Sequence, residues 1–473
     1  MGIDMFKTSA IFVLLLLHPS CIRYIPRPID PAALDQSYRA RNLSDPGLEA
    51  FFHTNSTVKP PAWPPQSLDL EGLTLLALYF SPDLDEARAR IVAADAAVGA
   101  AGTKPNPTVG GGGGYTDAEA SPYAFRFEVS IPFETAGKRQ YRIQRAQQLS
   151  AAARFSLAEV AWGVRSRLRR SLADHLISNL DLGQRTAESQ VREEIVAIYE
   201  KRLDVGEVAT PIVSAARTDL ARVQIEIEEL RGRIAETRAG IAGAIGLPSP
   251  ALDQVQFALT GLENPPAEEA LNIASVQKLG LMNRLDVQRL LSEYAAAESE
   301  LQLQVARQYP DISLGPSYSF GEGANSYTIG PGLTLPFFDR NAGRIAEADA
   351  RRAIAGVRFL GTQASAIDEM ERALADYRSA LRELEQAERT QDLIRGREQA
   401  TQRQLAAGEA DRLALTVVRL ESATARRLEL NALRRAHMAL GALEDAVQRP
   451  LAGSPEIPTL PERNPREKEN SSR

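Results

Sequence analysis

The fold is decided by the stretch YAFRFEVSIPF at residues 123–133, which is closely followed by a long proline-free segment, 138–204. In the first stretch, aromatic or aliphatic residues occupy the odd positions, and small, polar or charged residues occupy the even ones. This period of two is typical of a β-strand with one apolar and one polar face. The second stretch carries apolar residues at helical spacing and predicts a helix about 100 Å long at 1.5 Å per residue.

Three further stretches alternate in the same way, at residues 109–115, 312–320 and 327–337. Together they predict four strands of about 9–11 residues, the length at which a tilted β-strand crosses a bilayer. The alternative is a pair of soluble hairpins packed on helices, but the aromatic residues at the strand ends favour a membrane interface. Four strands cannot close a barrel with a lumen. Other copies of the chain are therefore expected to complete the sheet edges, and three copies give twelve strands.

The remaining long segments predict paired helices. Apolar residues in 212–234 recur at intervals of three and four, as in a coiled coil, and residues 343–449 contain no proline. Two short breaks, LDVGE at 203–207 and LAAGE at 405–409, place glycine where a helix ends in a left-handed residue. We interpret them as the tips of antiparallel helical hairpins.

The two halves of the chain match in sequence. SIPF at 130–133 corresponds to TLPF at 334–337, and each is followed by a turn with glycine and a basic residue. The tips repeat at about the same spacing, roughly 200 residues, which indicates a tandem duplication rather than a short solenoid repeat. We assign the first repeat to residues 67–265 and the second to residues 266–449. Each has the order helix, β-hairpin, long helix, tip and helix.

The N-terminus carries an export signal. AIFVLLLL at 10–17 is too short to span a membrane but suits the apolar core of a signal peptide, assigned to residues 1–20. The sequence LHPSC, ending in Cys21, resembles a bacterial lipoprotein cleavage site, so Cys21 is the predicted lipidation site. An ordinary exported free cysteine, or a different cleavage site, is the alternative. We expect residues 21–66 to form an extended Pro-rich segment and residues 450–473 a disordered tail.

Composition excludes several classes of function. The chain has 473 residues, a net charge of −6, one cysteine and four scattered histidines. A nucleic-acid-binding surface, an internal disulfide framework and a Cys-based metal cluster are therefore not expected. The Gly110–Gly114 run lacks the Lys-Ser/Thr of a phosphate loop, and no catalytic constellation stands out. We expect no enzyme activity, no cofactor and no resident metal.

The order of these elements resembles the TolC-type outer-membrane efflux protein family. Two motifs resemble its heavy-metal-efflux branch, of the cobalt–zinc–cadmium type: PFETAGKR at 132–139 and LPFFDRNAGRIAEA at 335–348. The resemblance implies an α+β membrane protein that assembles as a homotrimer. A twelve-stranded β-barrel would lie in the outer membrane, and a barrel of α-helices would extend into the periplasm. It also implies three kinds of partner: outer-membrane lipid, a periplasmic adaptor protein and an inner-membrane pump of the resistance-nodulation-division type.

The resemblance places specific roles on residues of this sequence. The hairpin tips of the family dock onto the adaptor, which assigns contact to Leu203, Gly206, Glu207, Leu405, Gly408 and Glu409; alternatively, the glycines serve only the turn. The best-known member closes its periplasmic end with acids six and nine residues beyond the second tip glycine. Those positions are Ala414 and Val417 here, so the gate candidates are the nearby acids Asp204 and Asp411.

On the even phase of the 123–133 strand, which is expected to face the lumen, Arg126 and Glu128 either tune ion passage or pair with neighbours. The sequence favours a passive exit duct that exports heavy-metal cations and performs no covalent chemistry. An exit duct for drugs or other small organic molecules is the first alternative. A periplasmic coiled-coil scaffold is the second, although it leaves the four alternating strands unexplained.

Overall fold

The computed structural model describes residues 24–56, 62–117, 122–271, 283–451 and 460–461. It contains two compact units, Met1–Arg41 and Asn42–Arg473. The described part of the first unit contains one helix, α1 (Pro31–Arg39). The predicted signal peptide, Cys21 and most of the C-terminal tail lie outside the described residues.

The second unit begins with a short helix and a helical region that leads to the first strands. Its elements, in chain order, are α2 (Pro46–Asn55), β1 (Ser67–Leu68), α3 (Leu70–Phe80), α4 (Pro82–Ala101), β2 (Thr108–Tyr115), β3 (Tyr123–Phe133), α5 (Lys138–Asp204), α6 (Thr210–Ile245), β4 (Gln256–Phe257), α7 (Leu285–Ala306), β5 (Ile312–Gly321), β6 (Ala324–Leu333), α8 (Ala342–Ala406) and α9 (Arg412–Val447). Short 3₁₀ turns lie at Ser249–Leu252 and Glu268–Leu271.

Two very long helices organise the second unit. Helix α5 has 67 residues and α8 has 65, without interruption, while α6 and α9 have 36 each. Helix α4 packs along the first part of α5 and α6 along its second part, with Arg154–Asp95 and Arg233–Asp174 ion pairs at 3.0 and 2.9 Å. Helices α7 and α9 accompany α8 in the same way. Two shorter helices therefore cover one long helix in each half of the unit.

The four predicted strands form one antiparallel sheet in the order β2-β3-β5-β6. The register places Phe127 between Gly111 and Tyr318, and Tyr318 faces Tyr327 on β6. The apolar residues of all four strands therefore share one face, as side-chain alternation requires. Within this sheet, β2 and β6 are the edge strands, so the two hairpins are joined through β3 and β5 and not left apart.

Two sequence-based expectations need correction. The last strand ends at Leu333, four residues before the predicted end at Phe337, because β6 has a hydrogen-bonded neighbour only on its β5 side. The segment 21–66, expected to be extended, contains α1 and α2. The reason is that Pro31 and Pro46 occupy the first helical turn, where proline is favoured, after the N-capping residues Asp30 and Asp45.

Two hydrophobic clusters hold the helices together. Helix α3 is buried along almost all of its length and packs against α5 and the end of α6. The second cluster joins α8 and α9 around Tyr377 and Leu433. Between the halves, the buried carboxylate of Glu444 on α9 lies 3.3 Å from Arg165 and 3.1 Å from Arg169 of α5. Buried charges of both signs thus tie the first long helix to the second half of the chain.

In the part of the chain that the structure describes, no helix has the length and apolar character needed to cross a bilayer.

Candidate functional site

The polar face of the sheet is the first candidate surface. Arg126 and Glu128 lie on it side by side, with Arg126 Nε 3.8 Å from Glu128 Oε2, and both side chains are more than half exposed. Ser317 and Thr328 share a hydrogen bond of 2.7 Å between their hydroxyl oxygens on the same face. Gly110 lies opposite Glu128, and a Cβ there would be 3.1 Å from the Glu128 side chain. The glycine run of β2 therefore leaves room for the charged residues of β3.

The opposite face is apolar, and its composition changes along the strands from aromatic to aliphatic residues. Ring pairs cluster towards the turns: the centroids of Tyr115 and Tyr123 are 5.6 Å apart and those of Tyr318 and Tyr327 are 5.2 Å apart. Aliphatic residues such as Ile131 follow towards the helices. In the single chain Tyr115, Tyr123, Tyr327 and Ile131 are exposed, and Tyr318 is partly buried. A face of this composition, aromatic at one level and aliphatic at the next, has the character of a surface that contacts lipid.

The helix tips are the second candidate surface, and their backbones are alike. Gly206 and Gly408 have φ values of +76° and +80°, in the left-handed region. The Gly206 amide donates to the Leu203 carbonyl and the Glu207 amide to the Arg202 carbonyl. The second tip has the matching bonds, Gly408 to Leu405 and Glu409 to Gln404. Both turns are Schellman motifs that leave the glycine and the following glutamate exposed.

The two acidic gate candidates differ in their surroundings. Asp411 caps α9, accepting a 2.7 Å hydrogen bond from the Ala414 amide, and also accepts one of 2.9 Å from Arg202. The capping bond, followed by Arg202, lowers the pKa of the Asp411 carboxyl. Asp204 lies exposed at the end of α5. Arg202 thus joins the two tips. The sequence analysis missed this residue, although a basic side chain in the last turn of α5 could have indicated it.

A second ion pair joins the same helices above the tips. Arg412 Nε lies 2.5 Å from Glu194 Oε1, which connects the first turn of α9 to α5. Arg419 lies between Glu194 and Glu398, at 4.0 and 3.8 Å. All of these side chains are at least partly exposed, so each pair is individually weak in water. Because several such pairs connect α5, α8 and α9, the relative position of the two helical hairpins depends on the charges of these side chains.

The junctions between strands and helices hold the motif residues that carried the family resemblance. Lys138 is buried, and its Nζ donates to the Tyr309 carbonyl at 2.6 Å and to Asp311 Oδ1 at 2.7 Å. Asp311 Oδ1 also accepts from the Thr135 amide at 3.0 Å. Nearby, a hydrogen bond to Glu134 raises the pKa of Arg142. These contacts fix the exit of β3 to the start of β5, a role that the sequence alone did not assign.

The second junction uses an amide side chain in place of a lysine. Asn341 precedes α8 with a left-handed backbone, φ +62°, matching Gly137 before α5 at +74°. Its Nδ2 donates to the Gln304 carbonyl at 2.7 Å, which holds the start of α8 against the end of α7. Among the described residues, no group of three or more His, Cys, Asp or Glu side chains converges to hold a metal ion.

Comparison with known proteins identifies the family. The family model described as outer membrane efflux protein matches residues 74–247 and 278–447. The cobalt-zinc-cadmium resistance protein CzcC of Cupriavidus metallidurans is 27% identical over 234 residues. That alignment covers 49% of this chain and 54% of CzcC, so the match spans about half the length of the relative.

Solved structures with the same fold agree with this assignment. The outer membrane protein VceC of Vibrio cholerae has a TM-score of 0.64 at 21% identity, covering 80% of this chain and 95% of that one. The open state of the MtrE outer membrane channel of Neisseria gonorrhoeae has a TM-score of 0.63 at 15% identity, with coverage of 84% and 90%. CusC has a TM-score of 0.64 at 17% identity, with coverage of 83% and 95%. The fold is that of a channel, and the resemblance to the TolC-type family is confirmed: the chain belongs to the outer membrane efflux protein family and is a protein of the outer membrane.

Proposed function

We propose that the chain is the passive exit duct of a tripartite efflux system. The observation that carries this proposal is the two-faced sheet, with one apolar and one polar side, placed at the end of helices 65 and 67 residues long. A sheet of this kind suits lipid outside and water inside, while the helices are long enough to reach well into the periplasm. The duct performs no covalent chemistry. Energy comes from an inner-membrane pump, of the resistance-nodulation-division type, through a periplasmic adaptor.

The duct is proposed to be a homotrimer built from a duplicated unit. The edge strands β2 and β6 are unpaired within the described sheet, and three copies placed edge to edge supply twelve strands. Two observations support the duplication. Helices α6 and α9 have equal length, and the family model matches two separate segments of similar size. Residues 67–265 and 266–449 are the two repeats. Their long helices would form the periplasmic barrel.

Heavy-metal cations are the proposed cargo. The support is the match to CzcC, whose name records cobalt, zinc and cadmium resistance. Arg126 and Glu128 are proposed to face the lumen, where they largely offset each other's charge. Export of drugs or other small organic molecules is the alternative, and the cargo is selected mainly by the pump.

Deletion of the gene from its host tests the cargo. We expect lower minimal inhibitory concentrations of zinc, cobalt, cadmium or copper, restored by a plasmid copy. Sensitivity limited to hydrophobic drugs would remove the metal assignment. To separate a duct from a periplasmic scaffold, the protein is purified from the outer-membrane fraction and its circular dichroism is followed on heating. A duct shows a heat-resistant β signal, and a coiled-coil scaffold does not.

Three further roles complete the proposal. Leu203, Gly206, Glu207, Leu405, Gly408 and Glu409 contact the adaptor, and Asp204 and Asp411 contribute to the periplasmic gate. Cys21 carries lipid that anchors the mature N-terminus in the outer membrane. Mass spectrometry of the N-terminal peptide checks the last point: an unmodified Cys21, or a chain starting elsewhere, would contradict it.

A further inference from the structure

The level at which the sheet meets the helices carries an excess of positive charge. At this level, Arg139 Nε donates to the Gly102 carbonyl at 2.7 Å, and Asn341 is held against the end of α7. The residues of this level, here called the basic junction, are 102–108, 133–144, 307–312 and 333–345. They include seven Lys or Arg and three Asp or Glu residues, a net charge of +4 in a chain whose net charge is −6.

The three acidic side chains of the basic junction already have hydrogen-bond donors. Glu134 accepts from Arg142 at 2.9 Å, and Asp311 accepts from Lys138. Asp339 Oδ1 accepts from the Asn341 amide at 2.7 Å. Among the described residues, five exposed basic side chains of the junction form no ion pair with an acidic side chain: Lys104, Arg139, Arg307, Arg340 and Arg344. Their charges are therefore available to an anion from outside the chain.

Helix stability does not explain the position of these cations. The first turns of α5 and α8 contain no acidic residue, whereas Arg139 lies in the first turn of α5 and Arg344 in the first turn of α8. Positive side chains at these positions are repelled by the positive end of the helix dipole. An arrangement that opposes the stability of both long helices indicates that the charges serve an interaction outside the helices.

Exposed aromatic rings accompany the unpaired cations. Phe133 and Ile312 pair in the last row of the apolar sheet face, next to the helices. Beyond this row, Tyr309 is exposed, Phe337 is 76% exposed and Phe338 is fully exposed. Aromatic rings beside basic side chains are typical of the boundary between the hydrocarbon core and the lipid headgroups. The basic junction therefore has the composition of a surface that meets lipid headgroups.

We propose that the basic junction binds the phosphate groups of anionic phospholipids at the periplasmic surface of the outer membrane. This inference rests on the outer-membrane duct proposed above and names the class of lipid that the duct binds. Clusters of basic residues next to a membrane-spanning segment attract anionic headgroups. The turns at the other end of the sheet, 116–122 and 322–323, contain three acidic residues and no basic one, so the attraction is confined to the end next to the helices.

Lipid binding by the full-length protein in detergent tests this proposal. Native mass spectrometry follows titrations with dioleoylphosphatidylglycerol, which is anionic, and with dioleoylphosphatidylcholine, which has the same acyl chains and no net charge. The junction variant is Lys104→Gln/Arg340→Gln/Arg344→Gln. The matched control is Lys201→Gln/Arg358→Gln/Arg403→Gln, which removes one lysine and two arginines that are also exposed, on α5 and α8 and away from the sheet. Circular dichroism checks the fold of both variants.

We expect the wild-type protein to bind phosphatidylglycerol about tenfold more tightly than phosphatidylcholine. The junction variant should lose most of this preference and the control variant should keep it. In the wild-type protein, raising ammonium acetate from about 0.1 M to about 0.5 M should reduce the preference, because salt screens exposed charges. Equal wild-type affinities for the two lipids, or equal preferences in the two variants, overturn the lipid site but not the duct. A wild-type protein that binds neither lipid and is recovered from the periplasm overturns both proposals.

Discussion

At the scale of single residues, the buried His437 shows how the helix interface controls protonation. Its Nε2 lies 2.7 Å from the Leu262 carbonyl, which can only accept, so Nε2 donates and Nδ1 carries no proton in the neutral ring. Nδ1 is buried and has no hydrogen-bond partner among the described residues. Burial lowers the pKa of His437, and Arg169 adds to this effect. At the pH at which a free histidine begins to ionise, the His437 ring in the folded protein is therefore still neutral.

This environment predicts a loss of stability in mild acid. Since the folded pKa lies below the unfolded value, near 6.5, the unfolded chain binds the additional proton first, and unfolding becomes easier as pH falls through that window. We expect the thermal midpoint to fall less between pH 7 and pH 5.5 in His437→Gln, which can still donate to Leu262. His53→Gln, at a more exposed position, is the control and should keep the wild-type slope. Equal slopes in all three proteins would contradict the assignment.

Asp411 is the second residue with a specific test. Asn is as good a helix N-cap as Asp, so Asp411→Asn should keep the bond to the Ala414 amide while losing the ion pair with Arg202. If this pair helps to hold the tips together, single-channel conductance in planar bilayers should rise. Asp204→Asn removes the same charge from the other tip and serves as the comparison. Unchanged conductance in Asp411→Asn would remove this residue from the gate.

Among the secondary-structure elements, the two tip turns could serve folding alone or also bind the adaptor, and variants of Gly206 and Gly408 distinguish these roles. Asparagine tolerates the left-handed backbone better than other side chains, and nothing lies within 4 Å of a Cβ at Gly206 or Gly408. Gly206→Asn and Gly408→Asn should therefore fold with a cost of about 1 kcal/mol or less. If the tips bind the adaptor, the added side chains should reduce its co-purification and lower metal tolerance.

A matched control exists for this experiment. Gly261 also has a positive φ, +74°, and is exposed, but it lies away from the tips. Gly261→Asn carries the same backbone penalty and should retain adaptor binding. Tip variants that behave like Gly261→Asn would mean that the two glycines serve only the turn.

At the scale of the whole molecule, Glu444 joins the two halves of the chain. Its carboxylate is buried with Arg165 and Arg169, and Glu444 Oε1 accepts from the Leu451 amide at 3.1 Å. Burial lowers the pKa of Arg169, the direction expected for a guanidinium removed from water. Removing one member of such a group leaves uncompensated charge inside the protein.

Glu444→Ala should therefore lower the free energy of unfolding by about 3–5 kcal/mol. Denaturant titration of the detergent-solubilised protein, followed by circular dichroism, measures the change. Glu409→Ala, at an exposed tip position, should change stability by less than about 0.5 kcal/mol. A similar small change in Glu444→Ala would show that the two arginines are solvated without it.

The elements that depend on local patterns could be predicted from the amino-acid sequence. Alternation predicted the strand at 123–133, the absence of proline predicted α5, and two left-handed glycines predicted the tips. Each signal acts over a few residues, since side-chain period and backbone sterics are local. The same local reading failed at Pro31 and Pro46, where a preceding aspartate turns a helix breaker into a helix start.

The contacts between residues that are distant in sequence became visible only in the folded chain. Lys138 and Asp311 are 173 residues apart in sequence, Arg202 and Asp411 209 apart, and no periodicity links either pair. The joining of the two hairpins through β3 and β5, and with it the identity of the edge strands, also appeared only in the fold. The physical reason is that such contacts are selected by the packing of whole helices and sheets, whereas the sequence pattern fixes only the face that each element presents.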